Sequence, residues 1–259
     1  MLYSIEMIKD RPVQCSSSAV EDSSQLRSSF SVSSNPSTSV VMGLGMNLAD
    51  LQGNKVLEIA SGLSDFTMRA SEAGVDIIAV DPLYSNAEAL AKRGKSFISD
   101  QVERALSMPG MGIFNPYKPR KEDVDLEEDL RGGTLARVLE DIKTHPQRYL
   151  AADVLNLPFP NGTFDMATCF SFLTSFEGDH PEFVKEALIE IMRVVRRGGN
   201  LRAGPNEFNL DGGESGRKTE ASLKAAFEEA KRLKLVDKLS RYSIGDNMCW
   251  YNISRSRKR

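Results

Sequence analysis

The chain has 259 residues, of which 41% are hydrophobic and 27% are charged, proportions typical of globular proteins with a sizeable core. Its 33 basic and 36 acidic side chains leave a formal net charge of −3, which excludes a general attraction to nucleic acid or to anionic membranes. We interpret the basic run at residues 255–259 as a solvated end. We therefore expect no nucleic-acid partner and no membrane partner.

Cysteine and histidine usage argues against disulfide and metal chemistry. The three cysteines, Cys15, Cys169 and Cys249, are widely spaced and form no Cys-x-x-Cys pair. With only His145 and His180 present, a metal site is not predicted. The first residues lack the apolar core of a signal peptide, and no stretch approaches the roughly 20 apolar residues of a membrane span. Thiols without partners are typical of reducing compartments, so we expect a soluble, cytoplasmic protein.

The chain divides into a serine-rich arm and one large domain. About half of residues 15–39 are serine, and so few apolar anchors do not favour an ordered structure. We interpret residues 1–39 as a flexible arm, with a lid that orders on binding as the alternative. Residues 40–259 form the predicted domain, with a helical insertion at about 95–147 of the kind that often carries specificity.

The first half of this domain predicts alternating strands and helices. Residues 55–59 form a short apolar run that predicts a strand, and a small-residue turn and a helix over 65–73 follow. A second buried strand covers 76–81 and ends in an acid, with a helix at about 86–93 after it. Parallel strands joined by helices imply a sheet that is covered on both faces.

The pattern resumes after the insertion and ends differently. Residues 148–153 predict another strand that ends in an acid, and the last two strands predict a hairpin around Gly245-Asp246. The two strands of this hairpin cover 235–243 and 248–254. Between the strand at 148–153 and the hairpin, the sequence predicts an apolar run at 164–172, a helix at 181–195 stopped by Gly198-Gly199, a strand at 200–203, a glycine-rich loop at 204–216 and a helix at 220–233.

Three strand ends carry residues suited to a nucleoside ligand. The turn Glu58–Ser64 holds small residues around Gly62, which let backbone approach a ligand closely, although an ordinary strand–helix turn looks similar. Asp81, 19 residues after Gly62, can accept from both ribose hydroxyls or act simply as a helix cap. Asp153, at a third strand end, can accept from an exocyclic amine such as that of adenine. All three belong at the carboxyl edge, where such sheets bind ligands.

Taken together, four segments resemble the ordered motifs of class I S-adenosylmethionine-dependent methyltransferases. The nearest subset is the small-molecule group that includes the ubiquinone and menaquinone biosynthesis enzymes. The similarity covers about residues 54–204 and leaves out the arm and the insertion. The segments are Val56–Ser64, Val80-Asp81, Asp153–Asp165 with its Leu-Pro-Phe-Pro-Asn-Gly-Thr-Phe-Asp run, and Glu190–Leu201 with its Glu-x-x-Arg-Val-Val-Arg-Arg-Gly-Gly run.

The resemblance implies a Rossmann-like α/β fold, a mostly parallel seven-stranded sheet with an antiparallel last strand and helices on both faces. It also implies S-adenosyl-L-methionine as cofactor and a small molecule as methyl acceptor. Its cofactor-binding residues would be Glu58, Ala60, Ser61 and Gly62 at the methionine part, Asp81 and Pro82 at the ribose, Asp153 and Val154 at the adenine, and Phe170 near the sulfonium, where Ser171 would also border the acceptor.

Departures from the family pattern leave alternatives open. Ala60 and Ser64 stand where the family has its first and third turn glycines, and Arg197 replaces the usual proline before Gly198. A non-catalytic methyltransferase-like binding or scaffold protein is therefore one alternative. A nicotinamide-dependent oxidoreductase is another, but it would need Gly-x-Gly-x-x-Gly where this chain supplies only Gly62.

No catalytic residue is predicted, because methyl transfer from a sulfonium relies chiefly on positioning and desolvation. We interpret His180, between Asp179 and Pro181, as part of a helix cap rather than as a base. The aromatic residues Phe172, Phe176 and Phe183 are interpreted mainly as core, with a pocket lining as the alternative. The acceptor atom and the oligomeric state are not predicted.

Overall fold

A computed structural model describes residues 40, 44–86, 90, 92, 133–170, 172–173, 181–207, 214–244 and 248–257. The predicted arm 1–39 and the insertion as far as residue 132 lie outside these ranges. So do Ser171, Phe176, His180 and the predicted hairpin turn at Gly245-Asp246.

The described chain alternates between strands and helices, as the sequence predicts. The strands are β1 Lys55–Ile59, β2 Asp76–Val80, β3 Tyr149–Leu150, β4 Phe164–Phe170, β5 Val195–Glu207, β6 Val236–Ile244 and β7 Met248–Arg255. The α-helices are α1 Phe66–Glu72, α2 Gly133–Thr144, α3 Pro181–Val194 and α4 Glu214–Arg232. Three short 3-10 helices cover Leu48–Leu51, Pro82–Ser85 and Pro146–Arg148.

One seven-stranded sheet has the strand order β3-β2-β1-β4-β5-β7-β6. The pairs from β3 to β5 are parallel, and β7 is antiparallel to both of its neighbours. This arrangement confirms the predicted Rossmann-like fold with an antiparallel last strand. Because the parallel strands point the same way, the residues that follow β1, β2, β3 and β4 all leave the sheet at its carboxyl edge.

Hydrophobic periodicity explains how the helices cover the sheet. Val56 and Met166, on neighbouring strands, are buried in a cluster with Phe66 of α1 and with the segment around Leu44. A second cluster joins Ala79 of β2 to α2. The amphipathic helix α3 buries an apolar stripe at helical spacing, namely Val184, Ala187, Leu188, Ile191, Met192 and Val194. These contacts fix the sheet and therefore its carboxyl edge.

The structure corrects the predicted end of α3. The helix ends at Val194, and β5 begins directly at Val195, so Gly198-Gly199 lies inside a strand instead of stopping a helix. A β-carbon on Gly199 would stand 2.3 Å from the carbonyl oxygen of Asp165, where the pairing of β4 with β5 shifts its register. The glycine therefore permits close strand contact at a bulge.

Other boundaries differ because strand pairing continues where local composition predicts a loop. The predicted loop over 204–216 is wrong at both ends, since β5 extends to Glu207 and α4 already begins at Glu214. Conversely, the strand predicted at 148–153 contains only Tyr149–Leu150. Within the described ranges, no helix is long and apolar enough to cross a bilayer, and no cluster of three or more acidic, cysteine or histidine side chains is arranged for a metal ion.

Candidate functional site

Hydrogen bonds join the ends of β1, β2 and β3 at the carboxyl edge. Ile59, the last residue of β1, pairs with Val80 in β2. In the turn after β1, the N–H of Gly62 donates to Asp81 Oδ2 at 3.1 Å. The N–H of Asp81 donates to the carbonyl of Leu150 at 3.2 Å. The first two predicted elements of a nucleoside site are therefore in direct contact.

Glu58 lies beneath this turn and is buried, with 3% of its surface exposed. Its Oε2 accepts from the Ser61 hydroxyl at 2.8 Å and from the Thr67 hydroxyl at 2.5 Å, which ties β1 to the turn and to α1. Burial raises the pKa of the Glu58 carboxyl to about 7, although these hydroxyl donors favour the charged form and partly oppose the shift. Glu58 therefore changes its charge near neutral pH.

The backbone of the turn has the shape that glycine favours. Ala60 has a φ of 53° and Gly62 a φ of 57°. A residue with a β-carbon is destabilised by roughly 1–2 kcal/mol in this left-handed region. The conformation of Ala60 therefore has an energetic cost that glycine would avoid. Ala60 therefore combines a positive φ with a side-chain methyl group at this turn.

Tyr84, in the 3-10 helix Pro82–Ser85, contacts the same turn. Its hydroxyl donates to the carbonyl of Gly62 at 2.9 Å, and its ring contacts Tyr149 edge to face, with 5.4 Å between ring centroids. Burial, with the nearby Asp81 carboxylate, raises the pKa of Tyr84 well above its ordinary value, so the hydroxyl keeps its proton as a donor. Both polar backbone groups of Gly62 are thus held, one by Tyr84 and the other by Asp81.

Asp81 also begins the 3-10 helix Pro82–Ser85. Its Oδ1 accepts from the N–H of Leu83 at 2.9 Å, so the helix-cap interpretation of this residue is confirmed. Pro82 is the first residue of that helix and is exposed. A carboxylate oxygen can accept from more than one donor, so capping does not preclude ligand hydroxyl groups as further donors.

Asp153 follows β3 in a tight turn at the same edge. Its Oδ1 accepts from the N–H of Leu155 at 3.0 Å, and its carbonyl accepts from the N–H of Asn156 at 3.0 Å. Val154, between them, is buried with 8% of its surface exposed. The carboxylate therefore belongs to a hydrogen-bonded turn that follows β3.

Two residues of α3 that the sequence does not mark as site residues contact this turn. Arg193 of α3 donates to the carbonyls of Leu157 and Phe159 at 2.9 and 2.8 Å, and Glu190 accepts from the N–H of Leu157 at 2.8 Å. In the sequence, the Glu-x-x-Arg run is part of a segment that resembles a family motif, and its i, i+3 spacing on a helix is the available signal that the two side chains pair. Its contacts with a distant turn follow from the fold alone.

Apolar residues end β4 at this edge. Phe170 is buried at the last position of the strand. Cys169 before it is fully buried, and burial raises the pKa of its thiol to about 12, which argues against a thiolate nucleophile. Phe172 contacts Phe183 edge to face with 5.8 Å between centroids, which supports a packing role for this pair.

Residues 125–203 match a protein-family model described as "Methyltransferase domain". The match includes Asp153, Phe170, Glu190 and Arg193, and it begins after the Gly62 turn and Asp81. An uncharacterized protein of Methanocaldococcus jannaschii is 28% identical over 147 residues, which is 56% of this chain and 65% of that protein. The matching region thus spans slightly less than two thirds of that relative.

Solved structures with a similar arrangement include several methyltransferases. A SAM-dependent methyltransferase from Aquifex aeolicus superposes with a TM-score of 0.47 at 13% identity, over 86% of this chain and 94% of that one. The 1,6-didemethyltoxoflavin-N1-methyltransferase of Burkholderia thailandensis, solved with 1,6-didemethyltoxoflavin and S-adenosylhomocysteine, superposes with a TM-score of 0.43 at 16% identity. That superposition covers 92% of this chain and 84% of that one.

Proposed function

We propose that this chain transfers a methyl group from S-adenosylmethionine to an O, N or C atom of a small molecule. The match of residues 125–203 to a methyltransferase domain model and the Rossmann-like sheet support this proposal. The observation that carries the proposal is the 3.1 Å contact between the Gly62 N–H and Asp81. It brings a small-residue turn and a strand-end carboxylate together at the edge where α/β sheets bind ligands.

The residues at this edge fit the nucleoside part of the cofactor. In the proposal, Asp81 accepts hydrogen bonds from the two ribose hydroxyls, beside Pro82. Asp153 accepts from the exocyclic amine of adenine, next to the Val154 backbone. Both carboxylates already accept backbone N–H groups, which fixes their orientation before a ligand arrives.

The residues around Glu58 fit the methionine part. Ala60, Ser61 and Gly62 form a turn whose backbone a ligand can approach. Glu58 holds the turn through the Ser61 hydroxyl and holds α1 through Thr67. With a pKa of about 7, its carboxyl is partly ionised at neutral pH and can balance a nearby ammonium group.

The proposed chemistry needs little from the protein beyond placement. The cofactor supplies a methyl group activated by a positively charged sulfur. Phe170 and the buried end of β4 exclude water from the reacting region, and the turn after β1 fixes the orientation of the donor. A dedicated acid or base is optional for in-line displacement, and we assign none.

We propose a small molecule as acceptor because the formal net charge of −3 does not favour a polyanionic partner. The segment after β4 supports this choice, since it does not contain the Asn-Pro-Pro-Tyr-like sequence of enzymes that methylate DNA bases or glutamine amides. A cytoplasmic location stays a prediction from the unpaired thiols, of which Cys169 and Cys249 are buried.

Calorimetric titration with S-adenosylhomocysteine, followed by a methyl-transfer assay with labelled S-adenosylmethionine and a panel of small acceptors, tests the proposal. We expect micromolar binding and transfer to at least one acceptor. Tight binding without transfer to any acceptor would instead favour a scaffold protein. A fluorescence titration with reduced nicotinamide cofactor is expected to show no saturable binding, and saturation there would favour the oxidoreductase.

A further inference from the structure

The segment that carries Asp153 receives little support from the sheet. β3 is an edge strand of two residues beside β2. Residues 151–163 then cross to β4 outside the named strands, with the single bridge Asp153–Asn156. Because main-chain ladders do not hold this segment, its position depends on contacts from other elements.

Those contacts come from Glu190 and Arg193 on α3. Glu190 Oε1 accepts from the N–H of Leu157 at 2.8 Å, and Arg193 Nη2 donates to the carbonyl of the same residue at 2.9 Å. The two charged side chains are themselves paired at 2.7 Å. One ion pair therefore holds both main-chain groups of Leu157, whose side chain is buried.

Arg193 also donates hydrogen bonds to residues further along the turn. Its Nη1 donates to the carbonyl of Phe159 and to the side-chain oxygen of Asn161, each at 2.8 Å. Its own carbonyl accepts from the N–H of Gly162 at 3.0 Å. A guanidinium presents several donors in a rigid fork, whereas a lysine ammonium is a compact charge that does not reproduce this geometry.

The hold on Leu157 is transmitted to Asp153 through a closed turn. The N–H of Asn156 donates to the carbonyl of Asp153, and the N–H of Leu155 donates to its carboxylate, both at 3.0 Å. Leu157 is the next residue after this turn. Because these bonds link Asp153 to the residues just before Leu157, we expect a displacement of Leu157 to reorient the Asp153 carboxylate.

We propose that Glu190 and Arg193 are positioning residues for base recognition, which hold Asp153 where it selects a 6-amino purine over a 6-oxo purine. The inference rests on the proposed function, in which Asp153 accepts from the amine of adenine. A 6-oxo purine presents a carbonyl at that position, so two acceptors would face each other. Selection of this kind requires a carboxylate that cannot move away.

The test compares the dissociation constants of S-adenosylhomocysteine and S-inosylhomocysteine, which differ at this position of the base. Wild type, Arg193→Lys and Arg232→Lys are titrated by calorimetry. Arg232 is the matched control, because it forms the same i, i+3 pair with Glu229 at 2.6 and 2.8 Å but lies exposed on α4. Both substitutions keep the positive charge.

We expect wild type and Arg232→Lys to prefer the adenine ligand by about 10- to 100-fold, the range for one hydrogen bond to a charged group. Arg193→Lys should reduce this ratio at least about fivefold. A general loss of stability would weaken the binding of both ligands equally and leave the ratio of their dissociation constants unchanged. An unchanged ratio in a folded Arg193→Lys protein overturns the inference.

Failure of the proposed function has a different signature. If wild type binds neither ligand, or binds both equally, the role of Asp153 itself is wrong and the positioning role falls with it. If circular dichroism shows that Arg193→Lys does not fold, Asn161→Ala removes one of the Arg193 acceptors at an exposed position. A smaller drop in the ratio supports the inference, and an unchanged ratio contradicts it.

Discussion

The backbone N–H of Gly62 donates to the carboxylate of Asp81 at 3.1 Å, which joins the turn after β1 directly to the residue after β2. The second carboxylate oxygen accepts from Leu83 at 2.9 Å. Asp81 thus organises the turn and also stands where the ribose is expected, so its replacement should affect both.

We expect Asp81→Ala to weaken binding of S-adenosylhomocysteine by about 10- to 100-fold, because a hydrogen bond to a charged group contributes about 1.5–3 kcal/mol. Asp76→Ala is the control, since Asp76 is exposed at the opposite end of the same strand. Calorimetry on both variants measures the effect. Equal affinity of Asp81→Ala and wild type would refute the cofactor assignment.

Ala60→Gly should relieve the strain of the positive φ at this position. We expect a gain in unfolding free energy of about 0.5–1 kcal/mol, since the left-handed penalty of roughly 1–2 kcal/mol exceeds the added entropy of the unfolded chain. Lys234→Gly is a matched control, because Lys234 has a φ of 60° after α4. Urea unfolding measures both gains.

Only Ala60→Gly should also change the affinity for S-adenosylhomocysteine, because Lys234 lies outside the proposed site. We expect tighter binding when the Ala60 methyl group is removed. Loss of stability in Ala60→Gly, or an equal change of affinity in both variants, would count against the assignment of this turn.

The raised pKa of Glu58 predicts that its contribution to stability changes with pH. The pKa rises from 4.5 to about 7 on folding, so the native state retains a proton that the unfolded state has released between these values. The contribution is therefore fully present below about pH 4.5 and is lost as the pH rises to about 7. At about 1.36 kcal/mol per pKa unit, the loss is on the order of 3 kcal/mol.

Glu58→Gln removes this titration and retains an oxygen that accepts from Ser61 and Thr67. Urea unfolding of both proteins at pH 5 and pH 8 measures the difference. We expect the mutant to gain stability relative to wild type by about 2–3 kcal/mol between pH 5 and pH 8. The same offset at both pH values would show that Glu58 does not titrate in this range.

Gly199→Ala should destabilise the protein strongly, by about 3 kcal/mol or more. Its β-carbon would lie 2.3 Å from the Asp165 carbonyl oxygen and 2.8 Å from Val195 Cγ1, and backbone cannot move away easily there. Gly53→Ala is the comparison, since that position has a φ of 73° but no atom within 4 Å of an added β-carbon. It should cost only about 1 kcal/mol, and equal losses would contradict the steric explanation.

The strands β1 and β2 were predictable because they depend on local pattern. The short apolar runs before Gly62 and Asp81 predicted β1 and β2, and the structure places those strands at Lys55–Ile59 and Asp76–Val80. The predicted stop at Gly198-Gly199 was wrong, because a glycine that ends a helix and a glycine that permits a bulge look alike in sequence.

The alternation of strands and helices, the parallel part of the sheet and the chemical character of the strand-end carboxylates were determined by the sequence alone, since hydrophobic periodicity and residue chemistry are local properties. The place of the antiparallel last strand in the sheet was implied only by the family resemblance. The contacts of Glu190 and Arg193 with Leu157, the hydrogen bond from Tyr84 to Gly62 and the raised pKa of Glu58 were decided only by the tertiary structure. Those features depend on burial and on contacts between residues far apart in the chain, and no local pattern specifies either of them.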